Sequence, residues 1–465
     1  VQLKLYLLFR NNMTTSAKTL QTQITSRLAA GGLTPLSCCQ LQGAQCILDT
    51  QAVVSFSNLA ALPTATLNQG RMVYLQDTCQ YRVSDGICWT TDFRSIAQRV
   101  EPSVFSWGSN GFGQLGDNTV TCRSSPVREI SNSGNWCQTS AGGGHTSAIK
   151  TDGSLWSWGY NTGGSLGDNT TTSRSSPVRE ISSSSNWCQT AAGTTSPTSA
   201  IKTDGTLWVW GPNFCGQLGD NTTTTRSSPV REISSSSNWC QIAFGAWIAS
   251  AVKTDGSLWT WGCGIWGQLG DNSTNTRSSP VREITSSTNW CQTSPGSQVS
   301  SAVKTDSTLW VWGRNFCGTL GDGTSTCRSS PVREALFSTL WCQTASGGNA
   351  GTAVKTDGTL WTWGFGSCGV LGNNTTACTG VPGREITSSN NWCRTSTSVN
   401  LTVSALKTDG SLWNWGKNQY GQLGDNTTTG RSSPVREISS FTTWFQTSAS
   451  SHISALKILT CKGFL

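Results

Sequence analysis

Residues 135–181 read NWCQTSAGGGHTSAIKTDGSLWSWGYNTGGSLGDNTTTSRSSPVREI, and the same phrase returns along the chain. Its Trp-Gly pair recurs at Trp107, Trp158, Trp210, Trp261, Trp312, Trp363 and Trp415, at steps of 51, 52, 51, 51, 51 and 52 residues. A fixed period of this size marks a solenoid, a propeller or an array. Each unit divides into four β segments, here WCQTSA, TSAIKT, SLWSWG and PVREI. Asp152-Gly153, between the second and third, is a hairpin signal. Gly142–Gly144 turns the chain between the first and second, and Ser182–Ser185 links this unit to the next. A long loop carrying LGDNTTT joins the third segment to the fourth. Four short antiparallel strands repeated seven times describe the blades of a β-propeller.

The two ends complement each other. The first copy begins at Val104 with a third strand and a fourth, and Trp444–Ser448 and Ile453–Lys457 supply the missing first and second. A closing blade shared between residues 104–130 and 444–457 removes open sheet edges. An open solenoid would need polar caps instead. The fold class is therefore all-β: a closed seven-bladed propeller over 101–465, preceded by a small α+β arm over 1–100.

Composition agrees. The 465 residues include 50 Gly, 23 Trp, 19 Cys and only two His, with 12% charged residues, about half the usual share. Long charged helices are excluded, and two histidines leave little room for histidine-based metal or acid–base chemistry. No apolar run approaches the ~18 residues of a membrane helix. The net charge of +8 divides into +3 over residues 1–101 (eight Lys/Arg, five Asp/Glu) and +5 beyond (24 against 19). Neither part has the basic cluster of a nucleic-acid binder. The cysteine content points to an oxidising or extracellular setting.

The pattern LWSWGYNTGGSLGDNTTTSRSSPV, with SAGGGHTSAIKTDG upstream, resembles the regulator of chromosome condensation repeat. WGSNGFGQLGDN at 107–118 and WGKNQYGQLGDN at 415–426 match it as well. The resemblance covers residues 104–457 and implies a seven-bladed propeller. It does not imply one function, since related propellers serve as exchange factors, inhibitors and recognition modules.

Twenty tryptophans hold repeated seats and are expected in the core, where each removes roughly 150–250 Å² from water. Trp89, Trp247 and Trp266 break the pattern and are the ones free to stack on a carbohydrate. Cys137, Cys188, Cys240, Cys291, Cys342 and Cys393 share a seat that holds Phe445 in the seventh copy, so it is apolar rather than metal-binding. Loop disulfides are expected at Cys317–Cys327 and Cys368–Cys378, with Cys215–Cys263 a weaker pair and Cys79–Cys88 a hairpin bridge in the arm. Arg174 is expected to pair with Asp168 and tie down the long loop. Sequons at Asn169, Asn221, Asn272, Asn374 and Asn426 are equally ordinary turn chemistry.

The copies are almost invariant on one face and differ sharply on the other. The loops after the first and third strands share a face, and there the copies diverge. They present Phe112, His145, Tyr160, Phe214, Trp247, Trp266, Arg314, Phe316, Phe365, Lys417, Tyr420 and His452. A uniform scaffold with one diversified, aromatic-rich face is the layout of a recognition surface; the alternative is drift in unconstrained loops.

In the arm, residues 14–29 read as a helix with Leu20, Ile24 and Leu28 on one stripe. Residues 52–95 read as a β meander that resembles modules of phage and virus tail fibres or virion appendages. That resemblance implies an anchoring or oligomerising arm, trimeric if a fibre stem. There is no G-x-S-x-G, no H-E-x-x-H, no P-loop and no paired-histidine metal site. No catalytic residue, metal or cofactor is assigned. The leading expectation is a non-enzymatic protein displayed on a virion or cell surface, binding a glycan or protein through the diversified face. The alternatives are an intracellular regulator of the guanine-nucleotide exchange type and a secreted inhibitor or carbohydrate-active enzyme. No nucleic acid and no membrane span are expected.

Overall fold

The computed structural model describes residues 100–460, and before them the backbone of three short strands. Contacts divide the chain into two units, 1–99 and 100–465. In the first unit, Met72–Leu75 and Gln80–Val83 form an antiparallel hairpin, and Val54–Phe56 joins it in parallel. The helix expected over 14–29 lies outside the described residues, as do Cys79, Cys88 and Trp89.

The second unit is a ring of seven four-stranded antiparallel sheets, each in the order first, second, third, fourth strand. In the first blade these are Trp136–Ala141, His145–Lys150, Leu155–Gly159 and Arg174–Arg179. The fourth strand begins three residues earlier than expected. It ends at Arg179, because Glu180 turns inward as a cap instead of continuing it. The seventh blade is shared: Trp444–Ala449 and His452–Thr460 pair with Val100–Gly108 and Arg123–Arg128.

Each seam between blades is built from tryptophan. The first-strand Trp187 is buried, and its Nε1 donates to Glu180 Oε1 at 3.2 Å. That carboxylate caps the link by accepting from the backbone of Ser182 and Ser184 at 2.7 and 2.9 Å. The second tryptophan of the third strand is equally buried: Trp210 Nε1 donates to Ser165 O of the preceding blade at 2.9 Å. A buried indole N–H needs such a partner. Burial of one indole is worth on the order of 4–6 kcal/mol as an upper bound. Lys202 Nζ sits 4.7 Å from the rings of both Trp187 and Trp208, a cation–π bridge within the blade.

The long loops interlock in the same direction round the ring. The loop-tip Gly164 (φ +75°) packs on Ser227 of the next blade, where any Cβ would strike the backbone. Asn169, further along the same loop, donates its N–H to Ser227 O at 2.9 Å. Gly421 repeats the glycine contact with Ser124, so the interlock passes through the closing blade. Arg174 Nε reaches Asp168 at 3.7 Å, as expected, and five other blades hold the equivalent pair at 2.8–3.1 Å. The remaining copy has Asn373 and Thr379, so both charges are lost together.

Candidate functional site

The diversified loops lie on one face of the ring. In six of the seven copies the residue after the Trp-Gly pair is pinned through its N–H to the preceding loop of its own blade; the seventh is Pro212, which has no N–H. Arg314 N donates to Gln298 O, Phe365 N to Asn349 O, Tyr160 N to Gly144 O and Lys417 N to Leu401 O, all at 2.8–2.9 Å. A glycine at positive φ, such as Gly313 at +105°, makes each turn. The backbone is thus uniform, and only side chains differ.

Four predicted residues from three successive blades come together. The Arg314 guanidinium lies 4.8 Å from the Trp266 ring and 5.5 Å from the Phe316 ring. Phe316 meets Phe365 with centroids 6.2 Å apart. Arg314 Nη1 donates to Gln298 Oε1 at 2.5 Å, which fixes the planar group between its aromatic neighbours. A second pair stands apart: Phe112 and Tyr160 pack edge to face at 4.8 Å. Phe214 (71% exposed), Tyr420 (45%) and Trp247 (38%) are single exposed side chains, and Lys417 is half-buried. Ile265, 58% exposed next to Trp266, enlarges the patch and is not singled out by the sequence reading. The loop windows contain no Asp or Glu at the tips, so Arg314 and Lys417 set their charge.

Two predicted face residues are not there. His145 and His452 are fully buried at the start of second strands. His145 Nε2 lies 2.8 Å from Thr198 Oγ1, and His452 Nε2 lies 2.7 Å from Thr146 Oγ1, each across a seam. Those hydroxyls already donate to Ser165 O and Gln114 O, at 2.8 and 2.9 Å, so each histidine donates from Nε2. His145 Nδ1 is buried without a partner. Burial lowers the pKa to about 4 at His145 and about 3 at His452.

Sequence reasoning also misses the buried Asn of the long loops. Asn161 Nδ2 donates to Asp168 Oδ1, Thr170 O and Thr172 O at 3.1 Å, and its Oδ1 accepts from Leu166 N at 2.9 Å. It is a plug for the loop, not a contact for a ligand. The Asn standing second in YNTG, PNFC, RNFC and KNQY is the signal for it.

The expected loop disulfides are corrected: Cys317, Cys327, Cys368 and Cys378 are free thiols, and so are Cys215 and Cys263. Cys317 is within hydrogen-bonding reach of Cys378 in the next blade, a contact that raises its pKa, and burial followed by neighbouring Cys263 raises Cys215 to about 11. The loop tips project over the following blade, so the near neighbour of a tip cysteine belongs there and not to its own loop. In the strand-one seat, Cys188 Sγ donates to Ile201 O at 3.3 Å. Desolvation raises Cys137, Cys188 and Cys240 to about 11. Because the thiolate is the nucleophile, their alkylation by iodoacetamide near pH 8 is expected to be about 100-fold slower in the folded protein than in urea. Cys188 and Cys240 are accessible at the surface, so slow reaction would report the raised pKa and not blocked access. Residue-resolved mass spectrometry measures it, and equal rates would discard the raised values.

Among the described residues no group of His, Cys, Asp or Glu is placed to hold a metal, and no helix is long and apolar enough to cross a membrane. Seven interlocked four-stranded blades with tryptophan seams define a closed β-propeller. A family model for the RCC1-like domain matches residues 103–456, and the chain belongs to that family. It is 31% identical over 249 residues to the ultraviolet-B receptor UVR8 of Arabidopsis thaliana, covering 53% of this chain and 57% of the receptor. It is 29% identical over 244 residues to the E3 ubiquitin-protein ligase HERC2 of Homo sapiens, 51% of this chain and 5% of the ligase. The chain therefore spans less than two thirds of either relative. Among solved structures, human WBSCR16 superposes with a TM-score of 0.66 at 20% identity, over 77% of this chain and 98% of that one. Yeast RCC1 (Prp20), solved with Kap60, gives 0.68 at 18% identity, over 78% and 90%. These two likenesses carry the fold alone.

Proposed function

We propose that this propeller is a non-catalytic protein-recognition module of the regulator kind, docking a partner through the ridge Trp266–Arg314–Phe316–Phe365. The observation that carries the reading is that ridge: an arginine held between aromatic rings, beside exposed apolar side chains, on a face whose loop tips lack carboxylates. Trp, Phe and Arg are the residues that anchor protein interfaces. The charge fits a partner segment with Asp or Glu flanked by apolar side chains. The named relatives, a plant receptor and a ubiquitin ligase, favour a regulator over the virion-display expectation, which rested on the resemblance of the arm to fibre modules.

A displayed random-peptide library selected on the immobilised propeller is expected to enrich acidic–apolar peptides. Their binding should fall at least tenfold in Arg314→Glu and in Phe316→Ala, and should persist in Arg282→Ala on the opposite side. Peptides without acidic enrichment, or indifferent to both ridge variants, would overturn the proposal. A glycan array probed with the same protein tests the competing reading: saturable glycan binding lost in Trp247→Ala would replace it.

A further inference from the structure

The first strands line a central channel with a belt of glutamines. Gln138, Gln189, Gln241, Gln292, Gln343 and Gln446 each accept, through Oε1, the backbone N–H of the next blade's first strand at 2.7–3.1 Å. Four of them also donate from Nε2 to a carbonyl of that strand, at 2.8–3.3 Å. Six seams are clamped in this way. In the remaining blade the seat holds Arg394, whose strand register matches the others: Arg394 faces Leu406 as Gln446 faces Leu456.

A guanidinium has five donors and no acceptor. At this seam the N–H of Thr447, equivalent to the clamped Thr190 or Thr344, therefore receives no acceptor from residue 394. No hydrogen bond, ion pair or stacking contact of the Arg394 side chain is present among the described residues, although it is half-buried. The channel it lines is about 280 Å³. Its other lining residues are Gln, Thr and Ser with some apolar side chains, and none is Asp or Glu. Thr194, also in the lining, has a buried hydroxyl without a partner. A water needs only ~10–15 Å³ on this scale, so there is room for an anion and its hydration.

We propose that the channel binds a small oxyanion of the phosphate type at Arg394. The guanidinium supplies paired N–H donors that match an oxyanion edge. One anion oxygen takes the place of the missing glutamine Oε1 and accepts from Thr447 N–H. The bound anion thereby closes the one seam where the belt is broken. This inference is independent of the ridge on the loop face.

Inorganic phosphate titrated into the full chain, with ionic strength held by chloride, is the test. Saturable one-to-one binding is expected by calorimetry, with a rise in melting temperature that chloride alone does not give. Arg394→Gln restores the residue of the other six blades, so it is expected to fold with unchanged or higher stability and to bind phosphate at least tenfold more weakly. Arg394→Lys keeps the charge but loses the paired donors, and is expected to fall between the two. Absence of saturable binding by the wild type, or equal binding by Arg394→Gln, would overturn the site.

Discussion

Between pH 7 and pH 4 the propeller is expected to lose several kcal/mol of stability, and the double variant His145→Val, His452→Val is expected to lose much less. Both histidines are held neutral by burial, with folded values of about 4 and about 3 against 6.5 for the free side chain. In that interval the unfolded chain binds more protons than the folded one, so stability falls as pH falls. The contribution is complete above pH 6.5 and is lost progressively down to the folded values. Each group accounts for on the order of 3 kcal/mol at pH 4. The physical reason is the tautomer: Nε2–H is committed to a threonine hydroxyl, and a proton added at His145 Nδ1 becomes a buried donor with nothing to meet. The aspartates whose pKa values are lowered, such as Asp117 and Asp425, begin to add to the loss near pH 5 and contribute most of theirs below pH 4, in both proteins alike. Valine is a fair replacement because the same strand position holds Ile248 and Val299 in other blades, both buried. There the neighbouring Ser300 Oγ still donates to Gln268 O at 2.8 Å, as Thr146 does to Gln114 O. Urea midpoints of both proteins at pH 7, 5.5 and 4 decide the matter; parallel losses would acquit the histidines.

Much of this molecule is written in its period. The Trp-Gly spacing, the Asp-Gly hairpins and the complementary ends specify seven blades and a shared closure, because each is a local rule applied at a fixed interval. The side on which the copies diverge is legible for the same reason: alternation of strands puts two of the four connections together. Side-chain direction is not legible at strand ends. His145 and His452 stand where a loop becomes a strand, and one residue decides between solvent and seam. Cysteine partners are misplaced by spacing alone, which says nothing of how far a loop tip reaches over the next blade. Arg394 is visible as the single basic residue in a column of glutamines, but its meaning depends on the belt of interblade hydrogen bonds, which no linear pattern displays. The ridge requires the opposite step. Trp266, Arg314, Phe316 and Phe365 each stand out in the sequence, yet only the ring curvature brings three blades' loops within stacking distance.

Removal of residues 444–465 is expected to abolish cooperative unfolding of the ring, not to trim it. In an open solenoid, terminal repeats contribute one intrinsic term and one interface, so their loss costs a share of the total. Here His452–Thr460 pairs with Val100–Gly108 over nine consecutive positions. Trp444 packs against Trp107 and Phe105 with centroids 5.9 and 5.6 Å apart. Ile453, Ala455 and Leu456 are fully buried. The same segment holds the next seam, through Gln446 Oε1 to Thr139 N at 3.0 Å and Thr139 Oγ1 to Ser454 Oγ at 2.6 Å. Its deletion opens two seams and uncovers the edge of Val100–Gly108. The lost burial of Trp444, Ile453 and Leu456 alone is on the order of 8 kcal/mol, comparable to the whole stability of a typical domain. An exposed strand edge beside bare tryptophan also invites association between chains. The truncated protein is therefore expected to give no sharp calorimetric transition and to elute as multimers. A milder variant, Ile453→Asp, is expected to keep the ring but lower stability by about 3–5 kcal/mol, since it buries an unpaired carboxylate in a tryptophan seam. A monomeric truncated chain melting within a few degrees of the intact one would mean that the blades stand without the clasp, and that the shared seventh blade is a consequence of the fold and not its fastening.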